Sequence, residues 1–309
     1  KQAKFFKVKN LVITNQKSFY KIKKDKYSEK SKIFNNFDEL GKIFKNKIDY
    51  TMCSISGIQG LKPTIEIIRF TKKIAIANKE AIICGWDLIE KRLKKYNTEF
   101  VPVDSEHFSI WYALRGTQKS LIDKIYLTAS GGPFLGKSKK KLEKVNINQA
   151  INHPNWKMGK KISIDSATMI NKVFEVIEAK KIFKIPYNKL SILIHPKSYV
   201  HALIKFKNGL TKIIVHDTNM KIPIFNSLYS SKNIVNSKNL DFKILNHLDF
   251  RNVNLKEFPL VRVLKILPAD TSLFETILVS INDKFVELFL NNKIKFTDIS
   301  KKMNKILNL

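Results

Sequence analysis

Short apolar runs that alternate with helix-patterned stretches over the first hundred residues constrain this chain more than any other feature. Residues 10–15 (NLVITN), 49–55 (DYTMCSI) and 74–78 (IAIAN) have the length and apolar character of β-strands. Between them, 37–46 carries Leu40, Ile43 and Phe44 at helical spacing, and 57–73 reads as a loop feeding a helix. The stretch 79–97 is a further helix, leading to strand EFVPV from residue 99. Strand and helix in alternation predict an open, mostly parallel α/β sheet, because parallel neighbours need a crossover between them. A dinucleotide-binding sheet opens with a strand, a glycine-rich turn and a helix N-terminus that holds the pyrophosphate. No such fingerprint precedes residue 10, and Gly57 and Gly60 give only GxxG.

From about 101 the chain is richer in polar motifs: VDSEH, TASGGPF, HPNWKMGKKISIDSATMINKVFEVIEA and ILIHPKS. From about 236 it reads as loops and amphipathic helices. Its 309 residues are enough for two or three cores, and a hydrophobic content of 44% fits a packed protein. No stretch reaches the about 18 consecutive apolar residues that a spanning helix needs, and the N-terminus does not read as a secretory signal. Cys53 and Cys84, both in apolar, buried surroundings, offer neither a disulfide framework nor metal-ligand spacing, so a cytoplasmic setting is expected. GxSxG, HExxH and CxxC patterns are missing, which leaves serine hydrolase and structural zinc readings unsupported.

The net charge of +31 raises the question of nucleic acid or anionic membranes as partners. Arginine, whose planar fork suits phosphates and bases, accounts for only Arg69, Arg92, Arg115, Arg251 and Arg262 of the 57 basic residues. The lysines are scattered along the chain beside abundant Ile and Asn, as AT-rich codons would produce. Compositional drift explains the charge better than specific nucleic-acid binding.

Two clusters carry candidate chemistry. Asp104 and Glu106 flank Ser105 at the end of a strand, where alternation would turn both carboxylates to one side, able to hold a hard cation or share a proton. A solvated strand-end turn is the plainer alternative. Residues 165–183 are expected to form one helix with Asp165 or Ser166 at its start, Asn171 and Glu175 on one face and Lys172 alongside. Ser166, Asn171, Lys172 and the backbone donors of a helix start suit a phosphate; an ordinary N-cap with a surface ion pair is the alternative. The loop 153–159 combines His153, Trp156, Met158 and Gly159, and loops of that kind close over substrates. The turn Ser130–Gly131–Gly132 can bring amides to an anion or simply reverse the chain. His195 and His201 are expected to be buried structural residues.

In order and spacing, IAIANKE, PVDSEH, SGGPF, the HPNW-to-IEA block and ILIHPKS resemble the 1-deoxy-D-xylulose 5-phosphate reductoisomerases of the non-mevalonate isoprenoid pathway. The resemblance covers about 55–205 and extends faintly to FTDI at 296–299. It implies an incomplete Rossmann-like NADPH domain over 1–100, an α+β catalytic domain over 101–235, and a linker with a partial C-terminal helical domain over 236–309. It implies Mg2+, Mn2+ or Co2+ on Asp104, Glu106 and Glu175, with His153 joining these three in catalysis. Substrate contacts fall to Lys79, Ser105, Glu106, Ser130, His153, Ser166, Asn171, Lys172 and Glu175. Asn78, Glu80 and Gly159 match positions that touch NADPH, and Trp156 and Met158 match a closing loop. The implied reaction converts 1-deoxy-D-xylulose 5-phosphate to 2-C-methyl-D-erythritol 4-phosphate in a homodimer. The missing glycine-rich loop implies an N-terminally truncated enzyme with weak cofactor binding; the alternative is a catalytically silent binding or structural homologue that never had the loop. Three segments depart from the family pattern: Thr218-Asn219-Met220-Lys221-Ile222-Pro223-Ile224 for Pro-Asp-Met-x-x-Pro-Ile, Ser280-Ile281-Asn282-Asp283-Lys284 for Asn-Ala-Ala-Asn-Glu, and Val173 for a usual Gly.

Overall fold

The computed structural model describes residues 2–24, 31–229 and 234–308. The first hundred residues contain α1 (Gln2–Phe5), β1 (Asn10–Val12), α2 (Gln16–Lys23), β2 (Lys32–Phe34), α3 (Leu40–Ile43), β3 (Ile48–Cys53), α4 (Leu61–Ile67), β4 (Thr71–Ile76), α5 (Lys79–Lys95) and β5 (Glu99–Pro102). Strands β3, β4 and β5 are parallel neighbours in that order, with Ile74 opposite both Thr51 and Phe100. The parallel α/β sheet expected from the alternation is therefore present. β1 stands apart from it, paired in parallel with β2, Leu11 opposite Ile33. β2, three residues long, was not among the strands expected from the sequence.

The rest of the chain forms α6 (Ser105–Leu114), β6 (Ile122–Ala129), α7 (Lys139–Leu142), α8 (Ile147–Ile151), α9 (Lys160–Ala167), α10 (Ile170–Phe183), β7 (Leu190–Ile194), β8 (Val200–Phe206), β9 (Thr211–Val215), α11 (Lys221–Leu228), α12 (Phe242–Leu245), β10 (Arg251–Asn252), α13 (Phe274–Leu290) and α14 (Phe296–Ile306). A mixed sheet of order β10-β7-β6-β8-β9 is parallel only between β6 and β7. Its inner side chains Ile125, Leu127 and Ile204 pack with Ile170, Phe174 and Ile177 of α10, and that core continues into Leu278, Phe289, Ile299 and Met303 of α13 and α14. A smaller core of Ile68, Ile74, Ile76, Ile82, Trp86 and Ile89 fixes α5 on the parallel sheet. Among the described residues, no helix is long and apolar enough to cross a membrane. Cys53 and Cys84 are free and half-buried rather than buried, and desolvation pushes the Cys53 thiol up to about 11.

Two expectations about local structure are corrected. The segment 165–183 is not one helix. The Thr168 hydroxyl donates to the Asp165 carbonyl at 3.2 Å, competing with the helical ladder, and Met169 turns left-handed at φ +64°. Asp165 and Ser166 therefore lie in the last turn of α9, and α10 begins afresh at Ile170. Likewise β5 ends at Pro102, and Asp104 is the N-cap of α6, its carbonyl accepting the Phe108 N–H at 2.7 Å. Helix geometry, not strand alternation, sets how Asp104 and Glu106 converge.

Candidate active site

Three strand ends build the site. β4 runs into Lys79 at the start of α5, β5 into Asp104–Glu106 at the start of α6, and β6 into the Ser130–Gly132 turn, so chemistry gathers at carboxyl ends of strands. α10 crosses in front with Asn171, Lys172 and Glu175, the last two buried by the surrounding core. Gly132 holds the turn against α9. At φ +68°, a side chain there would be strained, and a Cβ would lie 3.0 Å from both the Ala167 Cα and the Ser166 carbonyl oxygen.

One carboxylate oxygen from each of Asp104, Glu106 and Glu175 lies within 4.8 Å of the others. Two lysines stand among them. Lys79 Nζ is 3.1 Å from Asp104 Oδ2, 2.9 Å from Asn171 Oδ1 and 3.6 Å from Glu175 Oε1. Lys172 Nζ is 2.9 Å from Glu106 Oε1 and also pairs with Glu175. Burial works against the Lys79 charge, but Asp104, Glu175 and Glu178 outweigh it and hold the ammonium well above its usual range. Lys172 is likewise held cationic against burial by Glu106 and Glu175. Burial first, then the charge of Glu175, pushes Glu106 up to about 7. Three carboxylates crowded to the point that one resists ionisation form an oxygen donor set that suits a hard divalent cation. The residues present fit such an ion.

A second acid cluster lies behind the first. His107 Nδ1 is 3.5 Å from Asp104 Oδ1 and 3.9 Å from Glu178 Oε2, and its Nε2 bonds the Glu175 carbonyl at 2.8 Å. His107 and Glu178 are 0% and 1% exposed. His107 and Glu178 do not line the cavity, whereas Asp104, Glu106 and Glu175 all do, so the carboxylate triad is the metal candidate.

Lys79, Asp104, Ser105, Glu106, Ser130, His153, Ser166, Asn171, Lys172 and Glu175 all line one cavity of about 230 Å³. Trp156 and Met158 of the 152–159 loop form part of its wall. Asn78, Glu80 and Gly159 do not line it. Asn78 caps α5 through Ala81 N and donates to the carbonyls of Ile55 and Gly57. Glu80 pairs with Lys161 at 2.7 Å, and Gly159 caps α9 at the exposed end of the loop.

The tautomer of His153 follows from its neighbours. Its Nδ1 accepts the backbone N–H groups of Asn155 (3.1 Å) and Trp156 (3.0 Å), so the neutral ring carries its proton on Nε2, 3.0 Å from Ser130 Oγ. Burial, reinforced by Lys172, lowers its pKa to about 4. His153 is a neutral donor toward the cavity.

Thr128, Ser198, His201 and Met220 are among the wall residues that were not named as functional candidates. His195 and His201 are buried as expected, yet His201 also faces the cavity and meets the Trp156 ring edge-on at 6.1 Å. Ser198 has φ +50° and accepts from Asn155 Nδ2 at 2.9 Å. Only the folded backbone brings that residue to the loop.

Comparison with known proteins agrees with this geometry. Models of 1-deoxy-D-xylulose 5-phosphate reductoisomerase match residues 1–85, and models of its C-terminal domain match 100–183 and 216–309. The reductoisomerase of Pelagibacter ubique is 60% identical over 311 residues, covering 100% of this chain and 80% of that protein. The one from Clostridium kluyveri is 39% identical, with 96% and 78% covered. A crystal structure of DOX-P reductoisomerase with NADPH, fosmidomycin and magnesium superposes with a TM-score of 0.88 at 31% identity, covering 98% of this chain and 78% of the other. The Zymomonas mobilis enzyme with NADPH gives 0.85 at 32%, covering 99% and 80%. The chain belongs to the 1-deoxy-D-xylulose 5-phosphate reductoisomerase family.

Proposed function

We propose that this chain carries out the NADPH- and divalent-metal-dependent rearrangement and reduction of 1-deoxy-D-xylulose 5-phosphate to 2-C-methyl-D-erythritol 4-phosphate. The observation that carries the reading is the single cavity into which the three carboxylates, two lysines and the Ser/Asn cluster all open. Asp104, Glu106 and Glu175 would hold the cation, which supplies Lewis-acid polarisation of substrate oxygens, while NADPH supplies the hydride. Lys79 and Lys172 balance the acids and hold positive charge where an anionic substrate enters. Ser166, Asn171 and Lys172 suit the phosphate, two neutral hydrogen-bonding side chains and one cation on neighbouring helices. His153 donates from Nε2, which orients a substrate oxygen without taking its proton. The 152–159 loop, with Trp156 and Met158 on the cavity wall, excludes water when it covers the substrate. Asn78, Glu80 and Gly159 would face the dinucleotide from outside this cavity.

The silent-homologue alternative has no observation in its favour, since every metal and substrate candidate named above lines the cavity. We further infer three functional parts, 1–100, 101–235 and 236–309; the separate small core under the parallel sheet supports the first boundary, while the larger core runs across the second. A homodimer is proposed as the working form. The exposed Leu210 and Ile213 beside and on edge strand β9 favour pairing with a second copy. A cytoplasmic setting fits the two free cysteines. Sedimentation at several concentrations tests the dimer, and a monomer throughout would contradict it. The activity itself is tested by following NADPH oxidation with the sugar phosphate and Mn2+; turnover that survives Asp104→Asn together with Glu175→Gln would contradict the metal assignment.

A further inference from the structure

Behind Ser166 lies a partly buried network in which Glu80 alone has a role proposed above. Asp165 is 1% exposed in the last turn of α9. Its Oδ1 accepts from Asn282 Nδ2 of α13 at 2.8 Å, and its Oδ2 is 3.0 Å from Lys161 Nζ. The same ammonium is 2.7 Å from Glu80 Oε1 on α5 and 3.0 Å from Asp283 Oδ1 on α13. Three helices thus meet at one lysine. Asp165 adjoins Ser166, and Glu80 adjoins Lys79.

The last turn of α9 needs such a tie. The left-handed Met169 ends the helical ladder just beyond Ser166, so α10 does not brace that turn through a continuous helix. Gly132 presses against the Ser166 carbonyl and Ala167 from one side. Asn282, which is completely buried, holds Asp165 from the other. Lys161 is shared among three acids and fixes no single one of them, whereas the Asn282 amide donates to Asp165 alone. We propose that Asn282 is a positioning residue for the substrate: through Asp165 it sets where α9 presents Ser166 to the phosphate. The proposal rests on the reading that Ser166 receives that phosphate. The carboxylate triad stands outside the network, because Glu175 is held by Asn171, Lys172 and Lys79.

The test is calorimetry on the whole chain, first with Mn2+ alone and then with 1-deoxy-D-xylulose 5-phosphate at saturating Mn2+. Asn282→Ala is expected to keep wild-type Mn2+ affinity and to lose about tenfold in sugar-phosphate affinity, the lower range for removing a residue that supports a ligand contact. The exchange Asp165→Asn with Asn282→Asp keeps an amide facing a carboxylate and is expected to restore sugar-phosphate affinity; wild-type Mn2+ affinity in Asn282→Ala is what separates a displaced Ser166 from a loss of fold. Where Asn282→Ala does not fold, Asn282→Ser, too short to reach Asp165, carries the same comparison. Wild-type sugar-phosphate affinity in the variant, or Mn2+ and sugar-phosphate affinity falling together, would overturn the proposal. Failure of the wild-type chain to bind the sugar phosphate would instead overturn the reading beneath it.

Discussion

Glu106 carries opposing demands. Burial and the neighbouring acids push its pKa to about 7, yet a cation needs it ionised. The folded carboxyl takes up a proton as pH falls through that value, so the proton competes with the metal. Mn2+ affinity should therefore fall by up to about tenfold per pH unit between about pH 7 and about pH 5, as read by calorimetry in matched buffers. A flat profile would contradict the role of Glu106. Glu175→Gln removes a central charge while keeping the side-chain shape. It should abolish Mn2+-dependent substrate binding with the circular dichroism spectrum unchanged, and unchanged binding would sink the assignment. His153 behaves oppositely to Glu106. Its folded pKa of about 4 lies below the ordinary 6.5, so the unfolded ring binds the proton first. Stability supplied by the neutral ring is present above 6.5 and is lost as pH falls through about 4. Denaturation curves across that window should lose part of their pH slope in His153→Gln; an identical slope would contradict the neutral assignment.

Among the elements, the helices with strong amphipathic spacing were legible and the breaks between them were not. α5 was expected over 79–97 and spans Lys79–Lys95, because Ile82, Trp86, Ile89 and Leu93 repeat along one face. The interruption at Thr168–Met169 was not visible, since apolar spacing continues through it and the break is made by a side-chain hydrogen bond and the left-handed Met169. For a related reason the carboxylates of DSEH were found by motif while their geometry was misread: DxE suits one face of a strand equally well on paper. Thr128 and Met220 are ordinary core types, and only the fold turns them toward a cavity. Contact between elements also ranks the glycines. Gly132→Ala should cost on the order of 2–4 kcal/mol in chemical denaturation, combining left-handed strain with a backbone clash against α9. Gly116→Ala, at the same φ of +68° but with nothing within 4 Å, should cost only about 1 kcal/mol. Equal losses at the two positions would contradict the close approach of the Gly132 turn to Ser166.

Across the whole molecule, α5 on the parallel sheet packs against α10 on the mixed sheet, and the site forms where strand ends of both sheets meet. The sequence-level expectation of α/β architecture holds, because the strand and helix periods differ too much to be confused over a hundred residues. Among the described residues, Lys79 and Lys172 are the buried lysines, so the charge of +31 is carried mainly at the surface. Binding to duplex DNA should accordingly be weak and lost with added salt, and tight sequence-specific binding would contradict the drift reading. The central claim is that the cavity is a metal-dependent sugar-phosphate site. Titrating 1-deoxy-D-xylulose 5-phosphate into the chain with and without Mn2+ tests it most directly. The account predicts saturable binding that requires the metal; a folded sample that does not bind, or binds equally well without Mn2+, would contradict it.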